Sequence, residues 1–95
     1  MTNRTMALRV LTSEGVAVSD EAVSVIAPGG LGYLGVLRNH APLVTTITPG
    51  KLTWHRASGE TRTARIGAGL LEIVRNHLTI LTDSVSLSER VTVPS

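Results

Sequence analysis

Few residues in this 95-residue chain stand at spacings that chemistry requires. Gly30-Leu31-Gly32-Tyr33-Leu34-Gly35 spells G-x-G-x-x-G, the pattern that seats a pyrophosphate where its glycines open a helix, because unpaired N–H groups and the positive dipole end then face the anion. No helix can start here. Pro42 follows closely and biases Ala41 toward an extended conformation, and the place about twenty residues on where a ribose-binding acid belongs holds His55. Serines are common and His40, His55 and His77 could each act as a base, but Gly-x-Ser-x-Gly is absent and no two histidines have the i, i+4 spacing of a zinc site. These spacings predict no catalytic residue, no metal and no cofactor. His40, set between the glycine-rich run and Ala41-Pro42, is placed to be held rigidly and to donate hydrogen bonds to backbone carbonyls of the loop. A small hydrolase or isomerase built on it would need an acid and a nucleophile close by in space.

The same glycine run, from Ala27 to Leu43, reads as a solvent-facing connection, yet it carries Leu31, Tyr33 and Leu34 where a spacer would be polar. Apolar residues on such a loop predict a contact surface, the alternative being that they fold back to cap the edge of a sandwich.

Charge and composition narrow the partners. The chain has no cysteine, which excludes disulfides and thiolate zinc ligation. A pI of 9.9 rests on nine basic against seven acidic residues, a net charge of +2. The arginines are scattered, and the one concentration, Arg56 with Arg62 and Arg65, comes with Glu60 and a single nearby Trp54, so nucleic acid is not an expected partner. Apolar runs fall short of the ~20 residues that span a bilayer, and the first residues lack the apolar core of a signal peptide. The expectation is a soluble protein that stays inside the cell and does not insert into a membrane.

Positioning falls to strands. Valine, isoleucine and threonine abound, phenylalanine is absent, and turn residues recur every eight to twelve positions. The pattern predicts strands over residues 5–12, with Met6, Leu8 and Val10 on one face, then a short piece over 16–18 and a strand over 21–27. After the glycine loop come a short extended piece at Val36-Leu37 and a strand over 43–48. Pro49-Gly50 then makes a turn in which glycine takes the left-handed conformation. Residues 51–57 and 61–66 form a hairpin across Ser58-Gly59-Glu60, half exposed and near an edge, where Trp54 covers one flank. Past the Gly67-Ala68-Gly69 turn, strands over 70–74 and 78–83 joined by Arg75-Asn76-His77 are dense in Leu70, Leu71, Ile73, Val74, Leu78, Ile80 and Leu81, which predicts the centre of the core. Glu72 among them must face solvent, pair with an arginine or touch a partner. Eight to ten short strands predict an all-β fold, an antiparallel two-sheet β-sandwich or flattened barrel. One domain over 1–85 and a tail over 86–95 are expected.

Taken in order, Leu8-Arg9-Val10-Leu11, Leu34-Gly35-Val36-Leu37-Arg38-Asn39-His40-Ala41-Pro42-Leu43, Thr48-Pro49-Gly50, Gly67-Ala68-Gly69-Leu70-Leu71-Glu72-Ile73 and Leu78-Thr79-Ile80-Leu81-Thr82-Asp83 resemble the N-terminal domain of the epsilon subunit of F-type ATP synthase. The resemblance covers about residues 5–85. Its most specific element is Leu-Gly-hydrophobe followed by His-Ala-Pro-Leu, with Pro-Gly soon after. It implies a ten-stranded β-sandwich and a non-catalytic part of the rotor's central stalk. The implied partners are the γ subunit and the c-ring, and the implied place is the cytoplasmic face of the bacterial plasma membrane, with no small-molecule substrate. Carried over by position, the c-ring contact falls on Leu31, Tyr33, Leu34 and Gly35 and on Arg38, Asn39 and His40, while Pro42, Pro49, Gly50, Gly67 and Gly69 shape turns.

Two departures accompany it. Tyr33 stands where many relatives have an acid, and Arg38-Asn39 where many have Pro-Gly. The C-terminal helix pair that carries ATP sensing and inhibition in long members has no counterpart up to Val93-Pro94-Ser95, so those functions are not expected of these residues. A generic β-sandwich module for peptides or sugars is the rival reading, and it would need an aromatic platform that Trp54 and Tyr33 scarcely supply.

Overall fold

Alternation of apolar and polar residues along short stretches cut by Gly, Pro and Asn leaves the backbone one economical way to satisfy its N–H and C=O groups, which is to pair as strands. The computed structural model describes residues 5–87. Their strands are β1 (Met6–Thr12), β2 (Gly15–Ala22), β3 (Ser24–Gly29), β4 (Gly32–Leu37), β5 (Leu43–Ile47), β6 (Gly50–His55), β7 (Thr61–Ile66), β8 (Gly69–Val74), β9 (His77–Thr82) and β10 (Val85–Leu87). No helix occurs among the described residues.

Hydrogen bonding runs β10-β7-β6-β3-β5-β8-β9-β1-β2, with β4 on the other edge of β3. Between β3 and β5 the path narrows to one bridge, Gly29 with Ile47, and there it folds into two layers. The first layer is β4-β3-β6-β7-β10 and the second is β5-β8-β9-β1-β2. On the opposite side the chain crosses between layers at Val23, whose N–H bonds the His55 carbonyl at 2.8 Å. The result is the expected β-sandwich of ten strands, nearly closed at both sides. Met6, Leu8, Val10, Val25, Val36, Leu52, Leu71, Ile73, Leu78 and Ile80 fill the space between, each buried. Branched aliphatic side chains interdigitate between twisted sheets without aromatic bulk.

Several expectations need correction. Pairing is antiparallel throughout except between β1 and β9, which run parallel with Leu8 opposite Leu78 and Val10 opposite Ile80. The expected strand over 21–27 breaks at Val23, because β2 ends one layer and β3 begins the other. The glycine-rich stretch is a hairpin rather than a loop: Gly29 pairs with Gly32 across Gly30-Leu31, and Gly32, directly after the link, takes a positive φ of 123° that suits glycine. Glycine is disfavoured within strands, so composition alone hid the pairing.

Gly50 is not left-handed. It opens β6, and glycine is needed there because a Cβ would lie 2.9 Å from Pro28 Cβ. Gly69 likewise sits in a strand rather than a turn, where a Cβ would run into the Leu81 carbonyl oxygen. The β8–β9 link is the two residues Arg75 and Asn76, both left-handed at φ 51° and 64°, the geometry of a type I′ hairpin. β10 carries the sheet to Leu87. The rest of the expected tail, from 88 on, lies outside the described residues.

Candidate functional site

Each strand ends in a turn at one of two poles. The first pole gathers the β3–β4 tip at Gly30-Leu31, the β5–β6 link at Thr48-Pro49 and the β7–β8 link at Gly67-Ala68. The second gathers the β4–β5 turn from Arg38 to Pro42, the β8–β9 turn at Arg75-Asn76 and the Val23 crossing. β4 runs from one pole to the other, so the residues expected at a single contact divide between them. Leu31 and Tyr33 belong to the first pole and Arg38, Asn39 and His40 to the second. At about 3.3 Å per residue, the five steps from Tyr33 to Arg38 alone span roughly 16 Å.

At the first pole Leu31 is fully exposed at the hairpin tip and Tyr33 is 64% exposed. The Tyr33 hydroxyl lies 3.6 Å from where a Gly50 Cβ would stand, so the ring lies over the glycine. Leu34 turns inward and packs against the core, while Gly35 is exposed opposite Ile26. Pro42 and Pro49 are exposed in the links before β5 and β6.

At the second pole the Asn39 N–H donates to Asn76 Oδ1 at 2.6 Å, and Asn76 Nδ2 donates to Asn39 Oδ1 at 3.3 Å. The Ala7 N–H donates to the Asn76 carbonyl at 2.8 Å, which ties the pair to β1. Asn39 holds φ 67°, a conformation asparagine tolerates better than most residues. His40 Nδ1 lies 2.7 Å from the Ala41 carbonyl oxygen and so carries the proton and donates it. The loop carbonyl contact expected of this histidine is therefore local. Among the described residues no carboxylate is hydrogen-bonded to His40, and no three potential ligands meet at a metal-binding spacing.

The surface that sequence reasoning missed is the outward face of the second layer. Leu70 pairs with Leu81, Leu81 with Leu11, and Leu11 with Val16, so four apolar side chains form one row across β8, β9, β1 and β2. Leu70, Leu81 and Val16 are 47%, 50% and 54% exposed, and Val44 and Val74 extend the patch. Glu72 stands outward in it between Val44 and Thr79. Of the seven apolar residues expected at the centre of the core, Leu71, Ile73, Leu78 and Ile80 are buried while Leu70, Val74 and Leu81 are exposed. The signal was present. A strand of an antiparallel sheet that is apolar on both faces has something to cover its outer face as well.

A third feature is structural. Trp54 is 2% exposed on β6, an interior strand, and donates from Nε1 to Asp20 Oδ2 at 2.8 Å. It covers no edge strand and offers no platform to a ligand. Arg56 Nε lies 3.2 Å from Asp20 Oδ1, and Arg56 Nη1 lies 2.9 Å from Glu60 Oε1. The hydrogen bond to Glu60, then the charge of Asp20, raise the Arg56 guanidinium above its ordinary pKa.

The sequence profile of the ATP synthase delta/epsilon chain β-sandwich domain matches residues 5–88. An ATP synthase epsilon chain of Moorella thermoacetica is 41% identical over 86 residues, covering 90% of this chain and 64% of the relative. That of Acidithiobacillus ferridurans is 40% identical over 88 residues, covering 93% and 60%. The chain thus spans a little under two thirds of the length of such relatives. Among solved structures, a chain of the Euglena gracilis mitochondrial ATP synthase (OSCP/F1/c-ring, rotational state 1) superposes with a TM-score of 0.83 at 17% identity, covering 92% of this chain and 56% of that one. A chain of the Tetrahymena thermophila mitochondrial ATP synthase central stalk and c-ring superposes with a TM-score of 0.68 at 14% identity, covering 90% and 68%. At those identities the superpositions carry the fold.

Proposed function

The chain belongs to the family of ATP synthase delta/epsilon chain β-sandwich domains, and on that premise we propose that it is a non-catalytic part of the central stalk that joins a γ subunit to a c-ring and so couples ATP synthesis or hydrolysis to ion transport. The observation that carries this reading is the outward apolar row Leu70, Leu81, Leu11 and Val16, with Val44 and Val74 beside it. Exposed apolar area of this extent on one sheet face fits a permanent partner, here the side of γ.

The β3–β4 tip, with Leu31 and Tyr33, is the proposed contact with the polar loops of the c-ring. Tyr33 supplies a mostly exposed aromatic anchor. Arg38, Asn39 and His40, at the other pole, are assigned to the γ side in place of the ring. A part that transmits torque must be stiff, and two closely packed sheets with short links have few soft modes. The place of action is the cytoplasmic face of the bacterial plasma membrane, held there through the complex. ATP sensing forms no part of the proposal.

Capture of purified γ on the immobilised chain tests the reading. Retention of γ at a level comparable to a verified epsilon subunit is expected. No retention, with the verified subunit binding, overturns it.

A further inference from the structure

The tripeptide Arg-Asn-His occurs twice, at Arg38-Asn39-His40 and at Arg75-Asn76-His77. The fold brings the two copies together. Each asparagine is left-handed and each bonds the other, so two turns remote in sequence become one rigid unit at the second pole. Arg38, His40, Arg75 and His77 are thereby held at one end of the second layer. Among the described residues neither Arg38 nor Arg75 has an ion-pair partner, although Arg56 and Arg62 do.

The unit adjoins the outward apolar face directly. Val74, at the margin of that face, pairs with His77, His77 with Ala7, and Ala7 with Glu21. The acids that share this outward face are Glu21, two strands from His77, and Glu72, two residues from Val74. Arg9 stands across Thr79 from Glu72 on the same face. The balance at this margin is cationic. An apolar centre with a charged rim is the usual anatomy of a specific protein interface.

We propose that the paired Arg-Asn-His turns form a cationic rim that meets acidic side chains on the γ partner seated on the outward face of the second layer. This rests on the reading of that face as the γ surface and adds the chemistry of the partner beside it. Rim charges act chiefly on association: they steer the encounter and make it depend on salt, while the apolar centre governs dissociation. Arginine suits the task because its planar fork can hold a carboxylate with two hydrogen bonds. The asparagine lock spares the pair the cost of ordering two turns on binding.

The test measures association and dissociation of γ on the full chain at several salt concentrations. The variants are Arg38→Gln with Arg75→Gln, the conservative Arg38→Lys with Arg75→Lys, and Leu81→Asp. The glutamine pair is expected to slow association on the order of tenfold at low salt, to flatten its salt dependence and to leave dissociation nearly unchanged. The lysine pair should retain most of the rate. Should the glutamine pair fail to fold by its melting curve, Arg38→Gln alone is read in its place and should give part of the loss.

If Leu81→Asp abolishes binding while the glutamine pair associates as before at every salt, the γ surface stands and the cationic rim is overturned. If neither variant changes binding, the γ surface falls as well. Loss of binding to vesicles containing phosphatidylglycerol, with γ association unchanged, would assign the arginines to a lipid and also overturn the proposal.

Discussion

Trp54 and Asp20 meet across 2.8 Å, indole N–H to carboxylate, from different layers of the sandwich, and the other oxygen of Asp20 lies 3.2 Å from Arg56 Nε. The pair spans the side where β2 passes into β3, and a side-chain hydrogen bond there joins the layers beside the backbone bond from Val23 to His55. Its residues come from β2 and β6, which do not pair with each other.

Asp20→Ala leaves the buried indole N–H without its acceptor and removes one of the carboxylates facing Arg56. An unsatisfied buried donor costs about 1–3 kcal/mol, and a loss near 2 kcal/mol is expected in urea unfolding. Asp20→Ala and Trp54→Phe combined should cost less than their sum, since each removes the same bond. Additive losses would mean the contact contributes little.

The arginine in this network sets a pH expectation. Its raised pKa means that the stability it contributes is fully present below the unfolded arginine value and is lost only as pH rises through the higher folded one. The stability difference between the parent chain and Arg56→Met should therefore be flat from about pH 6 to about pH 9. A slope in that window would implicate another titrating group.

Gly69→Ala should destabilise by about 2–3 kcal/mol, because the added methyl meets backbone rather than a mobile side chain. Thermal unfolding checks it. The tip substitution Leu31→Ser, on a fully exposed side chain, should leave the melting temperature within a degree or so and serves as the control.

Leu81→Asp places a charge on the outward face without opening the core. Stability should fall by under ~1 kcal/mol, while affinity for γ drops at least tenfold, about 1.4 kcal/mol or more. Calorimetry reads both quantities. Equal losses in folding and binding would mean that the residue belongs to the core.

Tyr33→Ala together with Leu31→Ser should weaken coupling between ATP hydrolysis and ion pumping in reconstituted vesicles, with γ capture intact. His40→Ala, at the opposite pole, should leave binding of the chain to purified c-ring unchanged. If His40→Ala weakens binding to the ring and the tip pair does not, the ring contact lies at the second pole.

Much of the fold is legible along the chain. The inward face of β1, the hairpin around Gly59 and the hairpin of β8 and β9 follow from alternation and turn residues, and their register follows once one face is apolar. What stays hidden is whatever depends on remote partners. Nothing local to Leu8 says that Leu78 lies beside it in parallel, nor does Asp20 reveal that it faces an indole 34 residues away. The tip at Leu31 and Tyr33 was visible as apolar residues among glycines, whereas the outward row was hidden because Leu70, Val74 and Leu81 look like core until the layer is known to have a bare side. Two separated Arg-Asn-His copies are plain in the sequence, but only the fold makes neighbours of them.

The parallel pairing of β1 with β9 also bears on how the molecule is made. A strand that finds one of its neighbours some seventy positions later cannot complete its sheet until that neighbour has left the ribosome, so the second layer closes only after β9 emerges. Until then the hairpin of β1 and β2 exposes an apolar edge. Nascent chains whose β9 is still inside the ribosome should accordingly be sensitive to protease, and chains extended by a linker long enough to expose Leu87 should gain resistance in one step.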